Sequence, residues 1–293
     1  MKCRDFAVER ILLYAMMCLF IMAGFSLAQE HASETGEIEA LKGRLAGNPH
    51  DAQAHCDLGI LLDRAQQREE ALAHLEEAIK LKPEEITYAN LYRMRIREYG
   101  HEYYDRSIRF FEALVEDHPK TVELRLNKSL SYIDKMPYPR LGIVHQGILS
   151  NRSIAELNTV LELDPNCWAA LYARATNHLH WPRMLKHAPR AIEDFKKLVA
   201  MQESWGPEKQ EPYFVLPYVA LGDAYVKNRA TDSAGMFAKA RETWKAGRAI
   251  YPNDPELKKR LSMSDKELAA LIKKVCGLED PIDTDLSIMW VSW

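Results

Sequence analysis

The sequence has few of the residues on which enzymes and disulfide frameworks usually depend. It carries 5 cysteines in 293 residues, and the three beyond residue 28, Cys56, Cys167 and Cys276, lie far apart. This odd number favours three structural thiols, with a single Cys56–Cys167 bridge as the alternative. A glycine-rich phosphate loop, a nucleophile elbow and a His-Glu-x-x-His zinc helix are all absent from the sequence. We therefore expect no enzymatic activity, no catalytic residue, no cofactor and no metal site.

An excess of one charge is also missing. The chain has 39 lysines and arginines against 42 aspartates and glutamates, which gives a net charge of −3. It therefore offers no general basic field for nucleic acid, and we expect no nucleic-acid partner. With 47% hydrophobic residues, 28% charged residues and 13 glycines, the composition is typical of a globular, helical protein.

Long apolar runs are absent from the sequence except near its start. Three basic residues precede an almost wholly apolar stretch at 11–27, and Ser26-Leu27-Ala28 has the small residues that signal peptidase requires. We predict that residues 1–28 are a signal peptide and that the protein is exported to the periplasm of a bacterium. The alternative is an uncleaved segment that anchors the protein to the membrane. We expect no membrane span in the mature chain.

The stretch 48–83 places small and large residues at helical spacing. The residues that form the pattern are His55, Leu58, Gly59, Leu62, Ala71, Leu75, Ala78 and Pro83. Leu58 and Leu62 share one face of a first helix, and Gly59 allows a second helix to approach closely. The alanines and the leucine of the second helix form the i, i+4, i+7 stripe that faces it.

With Pro49 and Pro83 34 residues apart, this stretch resembles one tetratricopeptide repeat (TPR). A second good match consists of Tyr218, Leu221, Gly222, Tyr225, Ala240, Trp244, Gly247 and Pro252. The resemblance implies an all-α fold, a right-handed α-solenoid of antiparallel helix pairs with about four to five repeats and end-capping helices. The predicted divisions are a signal peptide at 1–28, a flexible leader at 29–36, a TPR-like solenoid at 37–275 and a C-terminal tail at 276–293. The predicted units of the solenoid are 49–83, 84–119, 120–165, 166–204 and 212–252, followed by a cap at 253–275.

The middle units depart from the repeat pattern in three places. Arg93 stands where the second unit should have a small residue, which predicts looser or shifted helix pairing. About twelve extra residues interrupt the third unit around Met136-Pro137-Tyr138-Pro139, and about four interrupt the fourth around Trp181-Pro182. Because prolines break the helix while apolar residues follow from Ile143, we expect the first insertion to be an ordered loop or extra turn packed on the body. A recognition loop is the alternative.

The TPR resemblance also implies a function, because such arrays bind proteins or peptides along a concave groove. We expect a non-enzymatic scaffold or adaptor of the cell envelope that holds an extended or helical partner segment in an apolar groove. The groove positions that we select from those that the resemblance carries over are Cys56, Ile60, Arg64, Met94, Arg97, Leu126, Leu130, Ile133, Tyr172, Thr176, His180, Val219, Asp223 and Lys227. Cys56 and Ile60 stand where chaperone-binding members have polar clamp residues, so we expect a hydrophobic anchor instead. The oligomeric state is not indicated.

Two other features of the sequence leave alternatives open. His178, His180 and His187 suggest a metal-binding or enzymatic protein on the same scaffold, although His178 and His180 would point about 200° apart on a helix. A purely structural subunit of an envelope complex is a further alternative. Residues 283–293 partly alternate polar and apolar residues, as an extended strand does. We expect this tail to cover an exposed hydrophobic face, with the chain's own groove or another protein as the alternative targets.

Overall fold

The computed structural model describes residues 34–138, 140–205, 209, 211–229 and 232–277. These residues form α-helices and short 3-10 turns, without a strand among them. The predicted signal peptide, residues 29–33 of the leader and residues 278–293 of the tail lie outside the described residues. The chain divides into two compact units, one up to Lys82 and one from Pro83 onward. None of the described helices is long and apolar enough to cross a membrane.

The described part of the first unit contains three helices. They are α1 (34–47), α2 (Ala52–Arg64) and α3 (Arg68–Leu81). The helix α1 includes residues 34–36, so the predicted flexible leader does not extend to residue 36.

The pair α2 and α3 has the packing that the repeat pattern predicts. The Asp51 side chain caps α2 by accepting a hydrogen bond from the Ala54 N–H at 3.0 Å. A Cβ added at Gly59 would lie 2.8 Å from Leu75 Cγ, so glycine permits this close approach of the two helices. Leu58, Leu75 and Ala71 are buried between them.

The second unit contains the remaining ten helices of the described residues. They are α4 (Ile86–Tyr99), α5 (Tyr104–Asp117), α6 (Val122–Lys135), α7 (Ile143–Leu163), α8 (Trp168–His180), α9 (Ala188–Ser204), α10 (Val215–Lys227), α11 (Ser233–Ile250), α12 (Pro255–Ser262) and α13 (Asp265–Val275). The helices α6 and α7, α8 and α9, and α10 and α11 form extensively packed pairs. The all-α array of helix pairs is therefore confirmed, while its hand stays a prediction.

The pairing of α4 differs, as Arg93 suggested. The Arg93 side chain is 1% exposed, and it donates hydrogen bonds to Asp134 Oδ2 at 2.9 Å and to Asn127 Oδ1 at 3.1 Å. Both partners lie on α6, and α4 packs more against α6 than against α5. A buried arginine must keep a charged partner, so it draws α4 toward the next repeat rather than toward its own second helix.

The last two helices cover the end of the second unit. Ser264 and Glu267 form a capping box at the start of α13, and Leu268 and Ile272 pack into the core around Trp244. The helix α12 is attached to α10 by Arg260, which donates hydrogen bonds to both carboxylate oxygens of Asp223, at 2.6 and 2.7 Å. The two helices therefore act as a cap, which end repeats require.

Candidate functional site

The predicted groove residues differ in what they can offer to a partner. Those buried are Cys56, Leu126, Leu130, Ile133, Thr176, Asp223 and Lys227. Those half-buried are Ile60, Met94, Tyr172, His180 and Val219, and those exposed are Arg64 and Arg97. Their role in binding a partner stays a prediction.

Several of the buried groove residues already make contacts within the second unit. Leu126, Leu130 and Ile133 belong to one apolar cluster with Leu157 and Val160, on the helices α6 and α7. Asp223 accepts from Arg260, as described above, and the half-buried Tyr172 also stacks on Trp168, with ring centroids 5.0 Å apart. These side chains stabilise the array, so the more accessible residues are better candidates for binding.

The two sequence insertions lie next to each other and form a pocket. We call it the insert pocket, and its cavity has a volume of about 240 Å³. Its lining comes from the end of α6, the start of α7, the end of α8 and the 3-10 turn Arg183–Leu185. The lining residues are Ile133, Met136, Pro137, Ile143, Gln146, Gly147, Ser150, Asn177, His180, Trp181, Pro182, Met184 and Leu185. Two of the predicted groove residues, Ile133 and His180, are therefore part of it.

The rim of the insert pocket is apolar and open to solvent. Met184 is 83% exposed, Ile143 68% and Leu185 51%. Ile143 lies in the first turn of α7, which has 21 residues against 14 in its partner α6, so the start of α7 extends beyond the helix that would cover it. The expectation that the first insertion packs its apolar residues on the body is thus wrong for Ile143 and its neighbour Val144, which is 70% exposed.

Hydrogen bonds fix the inner wall of the insert pocket. The indole N–H of Trp181 donates to Ser150 Oγ at 2.6 Å, and this hydroxyl donates to Asn177 Oδ1 at 2.5 Å. The Asn177 amide in turn donates to Ser153 Oγ at 3.1 Å. These hydrogen bonds form one connected network, which holds α7, α8 and the second insertion in one arrangement.

A larger open cleft of about 1240 Å³ adjoins the insert pocket. We call it the basic cleft, and the two share Pro137, Ile143, Gln146, His180 and Pro182. Its charged lining residues are Arg183, Lys227, Arg229, Lys273 and Lys274, and no aspartate or glutamate stands among the described residues that line it. The positive charges concentrate here although the chain as a whole is slightly acidic.

Lys227 lies deepest of these cations. It donates hydrogen bonds to the carbonyl oxygen of Leu179 and to that of Cys276, the latter at 2.7 Å. Burial lowers the pKa of the Lys227 ammonium to about 8. Burial, with the like charge of Arg183, also lowers the pKa of the Arg229 guanidinium. Among the described residues that line the cleft, none is an anion that would stabilise these cations.

The histidines that suggested a metal site form a pair rather than a cluster. The Nδ1 atoms of His178 and His187 are 2.9 Å apart, and Trp181 stacks on the His187 ring with centroids 4.3 Å apart. His180 Nδ1 instead lies 2.9 Å from the Thr176 carbonyl oxygen. Burial, with the nearby positive groups, lowers the pKa of His178 to about 4. Within the described ranges, no three His, Cys, Asp or Glu side chains come together as metal ligands do.

Comparisons with known proteins found similar solved structures only. No protein-family model and no curated protein matches the chain. Among solved structures it is similar to YrrB, a TPR protein with an unusual peptide-binding site, at 17% identity and a TM-score of 0.46, over 77% of this chain and all of that one. It is also similar to TTC0263, a TPR protein of Thermus thermophilus, at 17% identity and a TM-score of 0.47, over 72% and 97% of the chains. A TPR protein of Parabacteroides merdae matches at 17% identity and a TM-score of 0.29, over 82% and 94%.

The packing of the described helix pairs identifies the fold. In the pair α10 and α11, a Cβ on Gly222 would lie 2.0 Å from Trp244 Nε1, at the position where the repeat pattern requires a small residue. The chain has a TPR-like fold. In this TPR-like array the insert pocket and the basic cleft lie at a second irregular part, since the insertions that line the pocket interrupt the pairs α6–α7 and α8–α9.

Sequence reasoning missed most of the residues that line this surface. Trp181 marked an insertion, but its hydrogen bond to Ser150, 31 positions away, was not indicated by the pattern. The sequence pattern assigns Lys273 and Lys274 only to the cap. One feature of the sequence does indicate this surface. Each insertion joins the two helices of its own unit, and the two units are adjacent. Connections of this kind lie at the same edge of an array, so the two insertions are expected to be neighbours.

Proposed function

We propose that this protein is a non-enzymatic scaffold that binds a segment of a partner protein in the insert pocket and the basic cleft. One observation carries the proposal: two insertions from adjacent repeats form an exposed apolar pocket that adjoins a cleft lined by five cations. Repeat scaffolds gain binding surfaces by such insertions without changing the packed helices.

The chemistry of the surface suggests the chemistry of the segment. The insert pocket is large enough for one or two apolar side chains and too small for a folded domain, so it suits an anchor residue of an extended or helical segment. The cations of the basic cleft favour acidic residues next to that anchor. A cationic surface alone would also suit a phosphate, but the exposed Met184, Ile143 and Leu185 beside it favour a protein segment.

The test compares charge reversals in and away from the cleft. In the first variant, Lys273→Glu and Lys274→Glu reverse two exposed charges in the last turn of α13 that line the cleft. In the control, Lys245→Glu and Arg248→Glu reverse two exposed charges near the end of α11. Partner proteins captured by immobilised wild-type chain and by the control, but not by the cleft variant, are the expected result.

A second variant tests the apolar part of the site. Met184→Asp places a charge on a side chain that is 83% exposed, so it should leave the fold unchanged by circular dichroism. It should still weaken capture of the same proteins. If the cleft variant and Met184→Asp capture the same proteins as wild type in the same amounts, this surface is not the binding site.

We also propose that the protein acts outside the cytoplasm. The supporting observation is the sequence 1–28, with its basic start, apolar stretch and Ser26-Leu27-Ala28. The mass of the protein recovered from the periplasmic fraction should correspond to a chain that starts at Gln29. Recovery of the full-length chain in the membrane fraction would instead support the anchored alternative, and recovery in the cytoplasm would contradict export.

A further inference from the structure

We infer that residues 278–293 of the chain itself occupy the basic cleft and the insert pocket, and that a partner segment must displace them. This inference rests on the proposed function, because it assigns a competitor to the same surface. It concerns the final 16 residues of the sequence, LEDPIDTDLSIMWVSW.

The first argument is where these residues leave the body. Cys276 and Gly277, the last two described residues, both line the basic cleft. The ammonium group of Lys227 holds the Cys276 carbonyl oxygen at 2.7 Å and also contacts the Leu179 carbonyl oxygen, so the exit point is fixed to α8 and α10. The last described residues of the chain therefore lie at the cleft.

The second argument is charge. The segment has four acidic residues, Glu279, Asp280, Asp283 and Asp285, and no lysine or arginine. The cleft has five cations in its lining and no carboxylate among its described lining residues. Because opposite charges a few ångströms apart attract and like charges repel, a segment with this composition fits the cleft better than a neutral or basic one.

The third argument is order along the chain. The acidic residues come first, and the apolar residues Leu286, Ile288, Met289, Trp290, Val291 and Trp293 follow them. The surface has the same order, since the cleft adjoins the exit point and continues into the insert pocket past His180 and Pro182. An extended strand advances about 3.3 Å per residue, so residues 278–285 alone can span up to about 26 Å.

The fourth argument is the exposed apolar rim. Met184, Ile143 and Leu185 line the same pocket and are each more than half exposed, and such apolar surface is usually covered by something. A segment of the same chain has an effective concentration of the order of millimolar, so it competes well against partners in solution. Occupation by residues 278–293 would thus cover the rim until a tighter partner arrives.

Photocrosslinking in the full-length protein tests the inference. Ser292 is replaced by p-benzoylphenylalanine, which leaves Trp290 and Trp293 in place and reacts readily with methionine. After irradiation, peptide mapping should find the crosslink within one chain, at Met184 or Met136 of the insert pocket or at their immediate neighbours. A mixture of 14N- and 15N-labelled protein distinguishes crosslinks within one chain from those between chains.

Charge reversal supplies the matched control. Lys273→Glu with Lys274→Glu should lower the crosslink yield by up to about tenfold, which corresponds to about 1.4 kcal/mol of lost attraction. Lys245→Glu with Arg248→Glu should leave the yield unchanged, and adding Asp283→Lys with Asp285→Lys to the cleft variant should restore it. Three results would each overturn the inference. They are crosslinks between chains, crosslinks elsewhere on the body, and a yield that does not change when the cleft charges are reversed.

The outcome is separable from that of the proposed function. If partner capture depends on Lys273, Lys274 and Met184 while the crosslink avoids the pocket, the inference fails and the binding site stands. If the crosslink maps to the pocket while replacing those residues leaves partner capture unchanged, the segment covers a surface that does not bind the proposed partner. If both hold, Asp283→Lys with Asp285→Lys in an otherwise wild-type chain should increase partner capture.

Discussion

Replacement of Gly222 by alanine should destabilise the fold strongly, although alanine normally favours a helix. A Cβ built at this position lies 2.0 Å from Nε1 and 2.3 Å from Cε2 of Trp244. The indole cannot easily move, because Trp244 is fully buried and its N–H donates to the Val219 carbonyl oxygen at 3.1 Å. The helices α10 and α11 would have to separate, or the ring would have to leave its site.

The expected size follows from two opposing effects. Overpacking of a core typically costs about 1–3 kcal/mol, and a contact this short against a rigid ring belongs at the upper end. Alanine recovers about 1 kcal/mol over glycine through helix propensity. We therefore expect Gly222→Ala to lower the free energy of unfolding by about 2 kcal/mol.

Two other glycines calibrate the measurement. At Gly59 the nearest atom to an added Cβ is Leu75 Cγ at 2.8 Å, in a flexible side chain, so the loss should be smaller. At Gly43, exposed on α1, nothing lies within 4 Å, and alanine should stabilise by about 0.5–1 kcal/mol. Urea unfolding followed by circular dichroism gives the three values for the full-length chain. Equal or greater stability of Gly222→Ala than of Gly43→Ala would refute the close packing of α10 and α11.

Three further outcomes follow from buried polar groups. Arg93→Leu should cost about 3 kcal/mol in urea unfolding, because the buried Asp134 loses the donor to its Oδ2 while the more exposed Arg97 stays 3.9 Å from its Oδ1. Adding Asp134→Leu should recover most of that loss, and no recovery would contradict the pairing. The lowered pKa of His178 means that this side chain binds a proton more readily in the unfolded chain than in the folded one. The free energy of unfolding should therefore fall by about 1–2 kcal/mol, allowing for screening, as the pH drops from about 6.5 to about 4. The variant His178→Gln should show a weaker dependence on pH. Trp181→Phe removes the donor to Ser150 and should cost about 1 kcal/mol, with increased hydrogen exchange at the start of α7 if the hydrogen bond fixes the pocket wall.

The helix pairs could be predicted from the sequence because their cause is local. The spacing of Leu58, Gly59 and Leu62 places a small residue between two large ones on a single helix, and the same spacing recurs at Leu221 and Gly222. Such patterns depend only on helical geometry, so they survive when the identity of other residues changes. The packed pairs around Gly59 and Gly222 are the direct result.

The candidate site could not be predicted in the same way because its cause is not local. Asp223 and Arg260 are 37 positions apart, and Lys227 and Cys276 are 49 positions apart. Nothing in the repeat pattern indicates that Asp223 will be buried by a cap helix rather than line a groove. The histidines show the same limit: His178 meets His187, nine positions away across a loop, rather than the nearby His180. Only packed helices bring these residues together.

The contacts of Lys227 have a consequence for how this end of the array unfolds. In a linear array each repeat touches mainly its neighbours, so end segments can fray one at a time. Lys227 belongs to α10, yet it contacts the last turn of α8 on one side and the residue after α13 on the other. Opening of α13 alone would leave a buried ammonium group without one of its acceptors. The last repeats and their cap should therefore open as one cooperative block, and their amide protons should exchange with a single shared free energy.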